Sequence, residues 1–338
     1  MSAVDVGNMT DDFWIQTFHS PLLDGVNTII ACLTVLGNGM VITVMLLRRR
    51  VFSSFTNRLI LHQSIVDCVA GVVFFLWRVV FQNVYKNVSF ESNIYDQFIC
   101  RFISVDYFLW CLDVTSTYNL VMISLERFMA TCHPVKHRNT WTPAKQKFAV
   151  GTAWAIGFIY GLHFIFMFEA RQGRCRFIEV EIDLQIVQAL AVITIEYLVP
   201  ITILIYTYSR IFIVIKKSAN PLNGPRNAMN KVKRNVLVTT MLIAVMFVVC
   251  WTPTEVFYVN AYISRIWEGW LYATITGLLA CNMFVNPVIY CFKYEHFRSE
   301  LRNLVTRRCR RKRVGAVEAI PRPAAARRMN PNLSVHSL

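Results

Sequence analysis

The sequence predicts an all-α membrane protein: a bundle of seven transmembrane helices followed by a short amphipathic helix on the membrane surface. Of its 338 residues 55% are hydrophobic, and the mean hydropathy is +0.42. Seven apolar runs each reach the roughly 20 residues that a helix needs to cross a bilayer. The polar segments between the runs are too short for a second folded domain. The predicted spans are residues 22–47, 59–82, 99–126, 147–168, 184–215, 235–263 and 270–292.

Basic residues predict the orientation of the bundle. Of 35 Lys and Arg residues, 27 follow the first, third, fifth or seventh span. Lys and Arg accumulate on the cytoplasmic side, so we expect a multi-pass plasma-membrane protein with its N-terminus outside and its C-terminus inside. The first residues lack the basic start and apolar region of a signal peptide, so the first span is expected to direct insertion. Because topology accounts for the net charge of +15, no nucleic-acid partner is predicted.

The same orientation divides the chain into three parts. Residues 1–21 form an extracellular N-terminus, residues 22–305 the membrane domain with its surface helix, and residues 306–338 a cytoplasmic tail that we expect to be disordered. Asn8 and Asn87 begin glycosylation sequons, and both fall on the predicted external side.

Cysteine usage agrees with this topology. Of ten cysteines, eight fall within spans or on the cytoplasmic side, where thiols stay reduced. Only Cys100 and Cys175 face the exterior, at the start of the third span and in the loop after the fourth. A disulfide between them would hold that loop over the mouth of the bundle. The alternative is two free thiols.

Polar residues inside the spans are costly and therefore are candidate functional groups. The acid among them is Asp67 in the second span. A buried carboxylate without a cationic partner would take up a proton or bind an ion such as sodium, with oxygen ligands from neighbouring helices. The alternative is that these groups only hydrogen bond one helix to another. The other polar residues are Asn38, Ser116, Asn119, Asn282 and Asn286.

Two short motifs suggest moving parts. Asn286-Pro287 lies inside the last span, where proline removes a backbone hydrogen bond and kinks a helix. Glu126-Arg127 stands at the cytoplasmic end of the third span. Paired, the two charges neutralise each other; separated, the arginine can bind another partner, as a switch requires.

Together these residues resemble the rhodopsin-like family of G-protein-coupled receptors. At least one hallmark falls in every span, and the resemblance covers roughly residues 22–305. The stretch from Phe292 to Arg298 looks like the family's membrane-surface helix. The matching residues are Gly37-Asn38, Asp67, Cys100, Glu126-Arg127-Phe128, Pro134, Trp154, Cys175, Pro200, Tyr208, Cys250-Trp251-Thr252-Pro253 and Asn286-Pro287-Val288-Ile289-Tyr290.

The resemblance implies a receptor, not an enzyme, that binds an extracellular ligand and activates a heterotrimeric G protein, with arrestin and a receptor kinase as further partners. Trp251 would be the toggle below the ligand, and Pro253 the kink about which the sixth helix swings. Arg127, Tyr208 and Tyr290 would rearrange to admit the G protein. The residues that match the family's sodium pocket are Asp67, Ser116, Asn282 and Asn286, with sodium at Asp67 as an allosteric modulator.

Two departures from the family pattern affect these expectations. The separation of Cys100 and Arg127 is two residues longer than usual, which predicts a bulge or extension at the top of the third helix. The sixth span begins with Lys233-Arg234 where some members carry an acid, so an acidic latch on Arg127 is not expected.

The ligand is expected to carry positive charge. The position of the usual amine anchor is Leu109, but Asp113 lies one turn deeper on the same face, and Glu196 and Glu255 fall on the external halves of their helices. Each glutamate could instead be structural, Glu255 by pairing with Arg78. The basic and acidic external loop favours a neuropeptide-like ligand over a small amine. Nearby aromatic residues that we assign to the ligand site are Trp77, Trp110 and Tyr258.

Other classes of protein fit less well. A transporter would show an internal repeat, and none is evident. An intramembrane enzyme would need a nucleophile with its base or a metal-ligand spacing, which the seven histidines do not provide. In the tail, a polybasic run from Arg307 to Arg313 is expected to attract anionic lipid, and Cys309 within it is a palmitoylation candidate.

Overall fold

The computed structural model describes residues 21–81, 84, 90–178, 181–218, 227–264 and 269–318. The first span is α1 (Pro21–Leu47). The second is α2 (Phe55–Phe75), continued by a π-helical turn (Leu76–Phe81). A short helix α3 (Ile94–Phe98) and a second π-helical turn (Ile99–Ser104) precede the third span, α4 (Tyr107–Cys132). Helix α5 (Pro134–Thr140) leads to the fourth span, α6 (Pro143–Met167).

A two-stranded antiparallel hairpin, β1 (Phe168–Arg171) and β2 (Arg174–Phe177), follows the fourth span. The fifth span consists of α7 (Ile182–Ile193), a third π-helical turn (Thr194–Leu198) and α8 (Val199–Ser218). The sixth span is α9 (Asn227–Ser264) and the seventh is α10 (Gly269–Lys293). The surface helix α11 (Glu295–Glu318) starts after the predicted Phe292 and runs past the predicted boundary at residue 305.

Six of the seven spans are long and apolar enough to cross a membrane on length and composition alone, among the described residues. The third span is the one that is not apolar enough by this criterion. Its 26 residues would reach about 39 Å, but it carries the buried polar residues Asp113, Ser116 and Asn119. It packs against the second, fourth and fifth spans, so neighbouring helices rather than lipid surround it. A central helix can therefore be more polar than the outer ones.

The α-helix of the third span begins at Tyr107, later than the predicted boundary at residue 99. The helix is interrupted at Val105 and Asp106, and Asp106 adopts a left-handed conformation with φ of 57°. Aspartate tolerates this region better than most residues. The two extra residues between Cys100 and Arg127 are accommodated by the π-helical turn and this break. Asp106 does not cap the helix with its side chain; its carboxylate instead lies 2.6 Å from the Arg78 guanidinium.

Close packing holds the fourth span against the third. A Cβ atom added to Gly157 would lie 2.5 Å from the carbonyl oxygen of Cys111, and one added to Gly161 would collide with the Cys111 sulfur. Glycine therefore allows a helix approach that any larger residue would prevent. The outer faces of the bundle carry exposed apolar side chains, such as Leu36, Phe148 and Phe166, as a lipid-facing surface requires.

We predict that Gly157→Ala destabilises the protein and that Gly151→Ala does not. Nothing lies within 4 Å of a Cβ atom at Gly151, which is on the same helix. There alanine should be neutral or stabilising by up to about 1 kcal/mol, whereas the backbone collision at Gly157 should cost about 1–3 kcal/mol. Thermal unfolding of the detergent-solubilised variants measures the difference. Equal midpoints for the two variants would contradict this packing.

Candidate functional site

A disulfide-linked hairpin covers the external end of the bundle. Cys100 and Cys175 are bonded, with their Cα atoms 5.4 Å apart, which confirms the predicted pair. Gln97 holds the hairpin by two further hydrogen bonds, donating to the Ala170 carbonyl at 2.8 Å and accepting from the Ala170 N–H at 3.2 Å. The turn places Gln172 and Gly173 at positive φ, as tight hairpins require.

The wide turn in the fifth span orients Glu196 toward the interior. Pro200 has no N–H for the carbonyl of residue 196, so a regular helix would lose a hydrogen bond here. The π-helical turn Thr194–Leu198 forms at this point, and such turns are frequent at functional sites. The Tyr118 hydroxyl donates to the Ile195 carbonyl at 2.7 Å, which satisfies one backbone group of the turn from the third span.

Three acidic side chains lie buried in the external half of the bundle: Asp113, Glu196 and Glu255. The hydroxyl of Tyr160 donates to Glu196, and Glu196 lies close enough to Glu255 for the two carboxyl groups to interact. Oε1 of Glu255 is buried and has no hydrogen-bond partner among the described residues. The site can therefore accept a hydrogen-bond donor or a cation.

Asp113 belongs to the same electrostatic environment. It interacts with Glu196 of the fifth span and with the Arg78 and Asp106 pair near the external ends of the second and third spans. Arg78 pairs with Asp106 at 2.6 Å. The alternative in which Arg78 pairs with Glu255 stays a prediction.

The aromatic residues assigned to the ligand site occupy different places. Trp110 of the third span lies against the buried Trp251 of the sixth span, with ring centroids 6.5 Å apart in an edge-to-face arrangement. This ring contact connects the two spans below the acids. Tyr258 contacts Phe257 at a centroid distance of 6.0 Å. Trp77 instead donates its indole N–H to the Ile103 carbonyl, so this polar group already has a partner in the loop above the third span.

The Asp67 pocket joins the second, third and seventh spans. Ser116 donates to Asp67 Oδ1 at 2.7 Å, and Asn286 Nδ2 donates to Oδ2 at 2.9 Å. Asn282 is not among the hydrogen-bond partners of Asp67 in the described chain. The sequence analysis missed Gln63, which donates to both Asp67 oxygens at 3.1 and 3.3 Å. Its position one helical turn before Asp67 was the available signal.

This donor set is only partly suited to the expected sodium ion. Oxygens of Asp67, Ser116 and Asn286 are suitable ligands for a hard cation, and Asn286 Oδ1 is buried without a protein partner among the described residues. The side-chain amide of Gln63 is not suitable, because it directs N–H groups at Asp67 and Ser116.

The cytoplasmic end of the third span holds a closed ion pair. Arg127 donates to both oxygens of Glu126, at 2.5 Å from Nε and 2.6 Å from Nη2. Thr56 of the second span donates to Glu126 Oε2 at 2.7 Å, and His137 contacts Oε1 at 3.0 Å. Arg127 also donates to Thr56. The arginine is therefore occupied within the bundle in this conformation.

Asn235 connects the sixth span to the junction of the seventh span and the surface helix. Its Nδ2 donates to the Lys293 carbonyl at 2.8 Å, and its Oδ1 accepts from the Glu295 N–H at 3.0 Å. These are the last carbonyl of one helix and the first N–H of the next, two groups that need outside partners. Sequence reasoning missed this contact as well.

The other residues of the predicted switch lie between these two ends. Pro253 and Pro287 both stand inside helices, in the sixth and seventh spans. Trp251, Tyr208 and Tyr290 are buried in one hydrophobic cluster. The Trp251 N–H and the Tyr290 hydroxyl have no hydrogen-bond partner among the described residues.

Some predicted residues cannot be placed. Asn8 and Asn87 lie outside the described residues, as do the N-terminus and residues 319–338. The side chains of Lys233, Arg234 and Cys309 are also outside the described part, although their helices are included.

Comparison with known proteins agrees with this architecture. Residues 37–290 match the family described as 7 transmembrane receptor (rhodopsin family). The match extends over most of the chain, so the protein belongs to this family of multi-pass membrane receptors and is not an enzyme.

Several curated receptors are similar over most of their length. Galanin receptor type 2 from Rattus norvegicus is 25% identical over 309 residues, which is 86% of this chain and 75% of the relative. Cephalotocin receptor 2 from Octopus vulgaris is 27% identical over 323 residues, covering 83% and 71% respectively. Human galanin receptor type 2 is 25% identical over 286 residues, covering 79% and 68%.

We predict that Cys175→Ser destabilises the protein by about 2–5 kcal/mol, because the bond closes a loop of 75 residues. The unfolding midpoint and the amount at the cell surface should both fall. Cys32→Ser is the control, since Cys32 is an exposed free thiol. Identical midpoints for the two variants would show that the disulfide does not constrain the fold.

Proposed function

We propose that this receptor binds an extracellular peptide through a basic group of that peptide and activates a heterotrimeric G protein. One observation carries the proposal: three acids, Asp113, Glu196 and Glu255, are buried in the external half of the bundle, and Glu196 interacts with both of the others. The similarity to receptors named for galanin and cephalotocin supports a peptide ligand. G-protein coupling is what the family implies.

The acids explain why the ligand should be cationic. Burying several carboxyl groups together is costly unless a proton or a cation compensates their charge. A guanidinium group has five donors in a planar fork, which suits two neighbouring carboxylates better than an ammonium group does.

The proposed signal passes from the acids to the cytoplasmic switch. A ligand that contacts Asp113 and Glu255 touches helices that also carry Trp110 and Trp251, whose rings meet. If the ligand binds the open bundle more tightly than the closed one, it shifts the population toward the open state. The G protein biases the same equilibrium from the other side of the membrane.

The remaining assignments extend this proposal. We propose an external N-terminus with glycans at Asn8 and Asn87, and a cytoplasmic tail with lipid at Cys309. Residues 1–21, 22–305 and 306–338 would then be the external, receptor and tail parts. Arrestin, a receptor kinase and anionic lipid would act at the cytoplasmic face. These assignments follow from the charge distribution and from the family.

A nucleotide-exchange screen tests the ligand assignment. Basic peptides and small amines are applied separately to cells that express the receptor and G proteins. For a peptide agonist, replacing its arginine by neutral citrulline should weaken activation at least tenfold, or by about 1.4 kcal/mol. In a Glu255→Gln receptor, the arginine and citrulline peptides should activate with nearly equal potency, because the difference in their potency depends on that carboxylate. Asp113→Asn should weaken activation by the arginine peptide more than tenfold.

Glu181→Gln is the matched control, since Glu181 is an exposed acid on the external side. It should leave the preference for arginine over citrulline unchanged. An amine agonist that is lost in Asp113→Asn would favour the amine alternative. A peptide agonist with no preference for arginine over citrulline would remove the acid cluster from ligand recognition.

Asn235 should restrain the receptor in its closed conformation. Its two hydrogen bonds to the backbone at Lys293 and Glu295 must break if the sixth span moves outward. At about 1 kcal/mol each, their loss should shift the equilibrium toward the open state roughly thirtyfold. We therefore predict raised ligand-independent nucleotide exchange for Asn235→Ala. Met241→Ala, a lipid-exposed change on the same helix, should not raise it. Unchanged basal exchange in Asn235→Ala would show that this contact is not a latch.

A further inference from the structure

Gln63 occupies the interior of the Asp67 pocket. Its side chain is 3% exposed, and Asp67 is 1% exposed. The amide nitrogen lies 3.1 and 3.3 Å from the two Asp67 oxygens and also donates to the Ser116 hydroxyl. It therefore contacts both the carboxylate of the second span and the hydroxyl of the third, which are hydrogen bonded to each other. A cation bound by both of these groups would have to occupy the same space.

A chain of hydrogen bonds fixes the orientation of the Gln63 amide. The indole N–H of Trp154 can only donate, and it donates to His62 Nε2 at 2.9 Å. His62 must then carry its proton on Nδ1, which donates to Asn119 Oδ1 at 2.9 Å. Asn119 Nδ2 in turn donates to Gln63 Oε1 at 2.7 Å. The oxygen of Gln63 is thereby held toward Asn119, and its N–H groups face Asp67.

In the described chain, every side chain that hydrogen bonds to Asp67 acts as the donor. Gln63, Ser116 and Asn286 all donate to the carboxylate. The Ser116 hydroxyl donates to Asp67 and accepts from Gln63, so its hydrogen and a lone pair are both engaged. Donors of the protein therefore supply the hydrogen bonds that this buried carboxyl group needs. A sodium ion needs oxygen lone pairs directed at it, whereas Gln63 presents hydrogens.

We infer that the Gln63 amide takes the place of a cation in the Asp67 pocket, so that the closed receptor is stabilised without sodium. The inference corrects the expectation of a sodium modulator for this chain. It does not depend on the proposed ligand or on G-protein coupling. Trp154, His62 and Asn119 act as positioning residues, because they hold the amide in the orientation that excludes the ion.

Thermal unfolding of the purified, unliganded receptor tests this inference. Midpoints are compared in sodium chloride and in choline chloride of equal ionic strength. The wild-type protein should show no sodium-specific difference. Gln63→Ala removes the amide and should gain a sodium-dependent rise of roughly 2 °C when sodium is about tenfold above its Kd. The double variant Gln63→Ala, Asp67→Asn should lose that rise, which would locate the ion at Asp67.

Two results would overturn the inference. One is a sodium-dependent rise in the wild-type protein that Asp67→Asn abolishes, since the pocket would then bind the ion with Gln63 present. This comparison needs no Gln63 variant and so stands even if Gln63→Ala fails to fold. The other is a folded Gln63→Ala protein whose midpoint is the same in both salts. Asn119→Ala, which keeps the Gln63 amide but removes the contact that orients it, should gain a smaller sodium response than Gln63→Ala.

Discussion

The structure depends on pairing polar groups within a membrane, where no bulk water can satisfy them. The third span concentrates these groups, from Asp113 near its external end to Glu126 at its cytoplasmic end, and most of its residues are buried. Three of these groups are met by a neighbouring helix: Ser116 by Asp67, Asn119 by Gln63 and Glu126 by Thr56. This helix can be polar only because other helices surround it.

The same pairing gives the bundle two ends that can influence each other. Outside, Glu196 and Glu255 lie buried close together, and one oxygen of Glu255 has no protein partner among the described residues. Inside, Arg127 is fully engaged by Glu126 and Thr56. Between them lies Trp251, in contact with Trp110 above and with Phe247 at a centroid distance of 5.5 Å below. A change at either end has to rearrange packed aromatic rings, and packed interiors favour discrete states over gradual deformation.

The features that the sequence predicted well were those set by length, charge and order along the chain. The spans and the Cys100 and Cys175 pair follow from apolar runs and from which segments face outward. Contacts that depend on helix rotation were not predicted. Gln63 reaches Ser116 and Asn119 only because the second and third spans are rotated toward each other, and Asn235 meets Lys293 only through the tilt of two helices. The break at Asp106 was foreseen only as an extra length of two residues.

The central claim is that these hydrogen bonds hold a closed bundle that opens at its cytoplasmic end. Spin labels at Lys136, after the third span, and at Val238, on the lipid-exposed face of the sixth, would measure that opening in the reconstituted protein. Adding nucleotide-free G protein should lengthen the distance between the labels, and adding nucleotide should restore it. An unchanged distance in the presence of bound G protein would contradict the account.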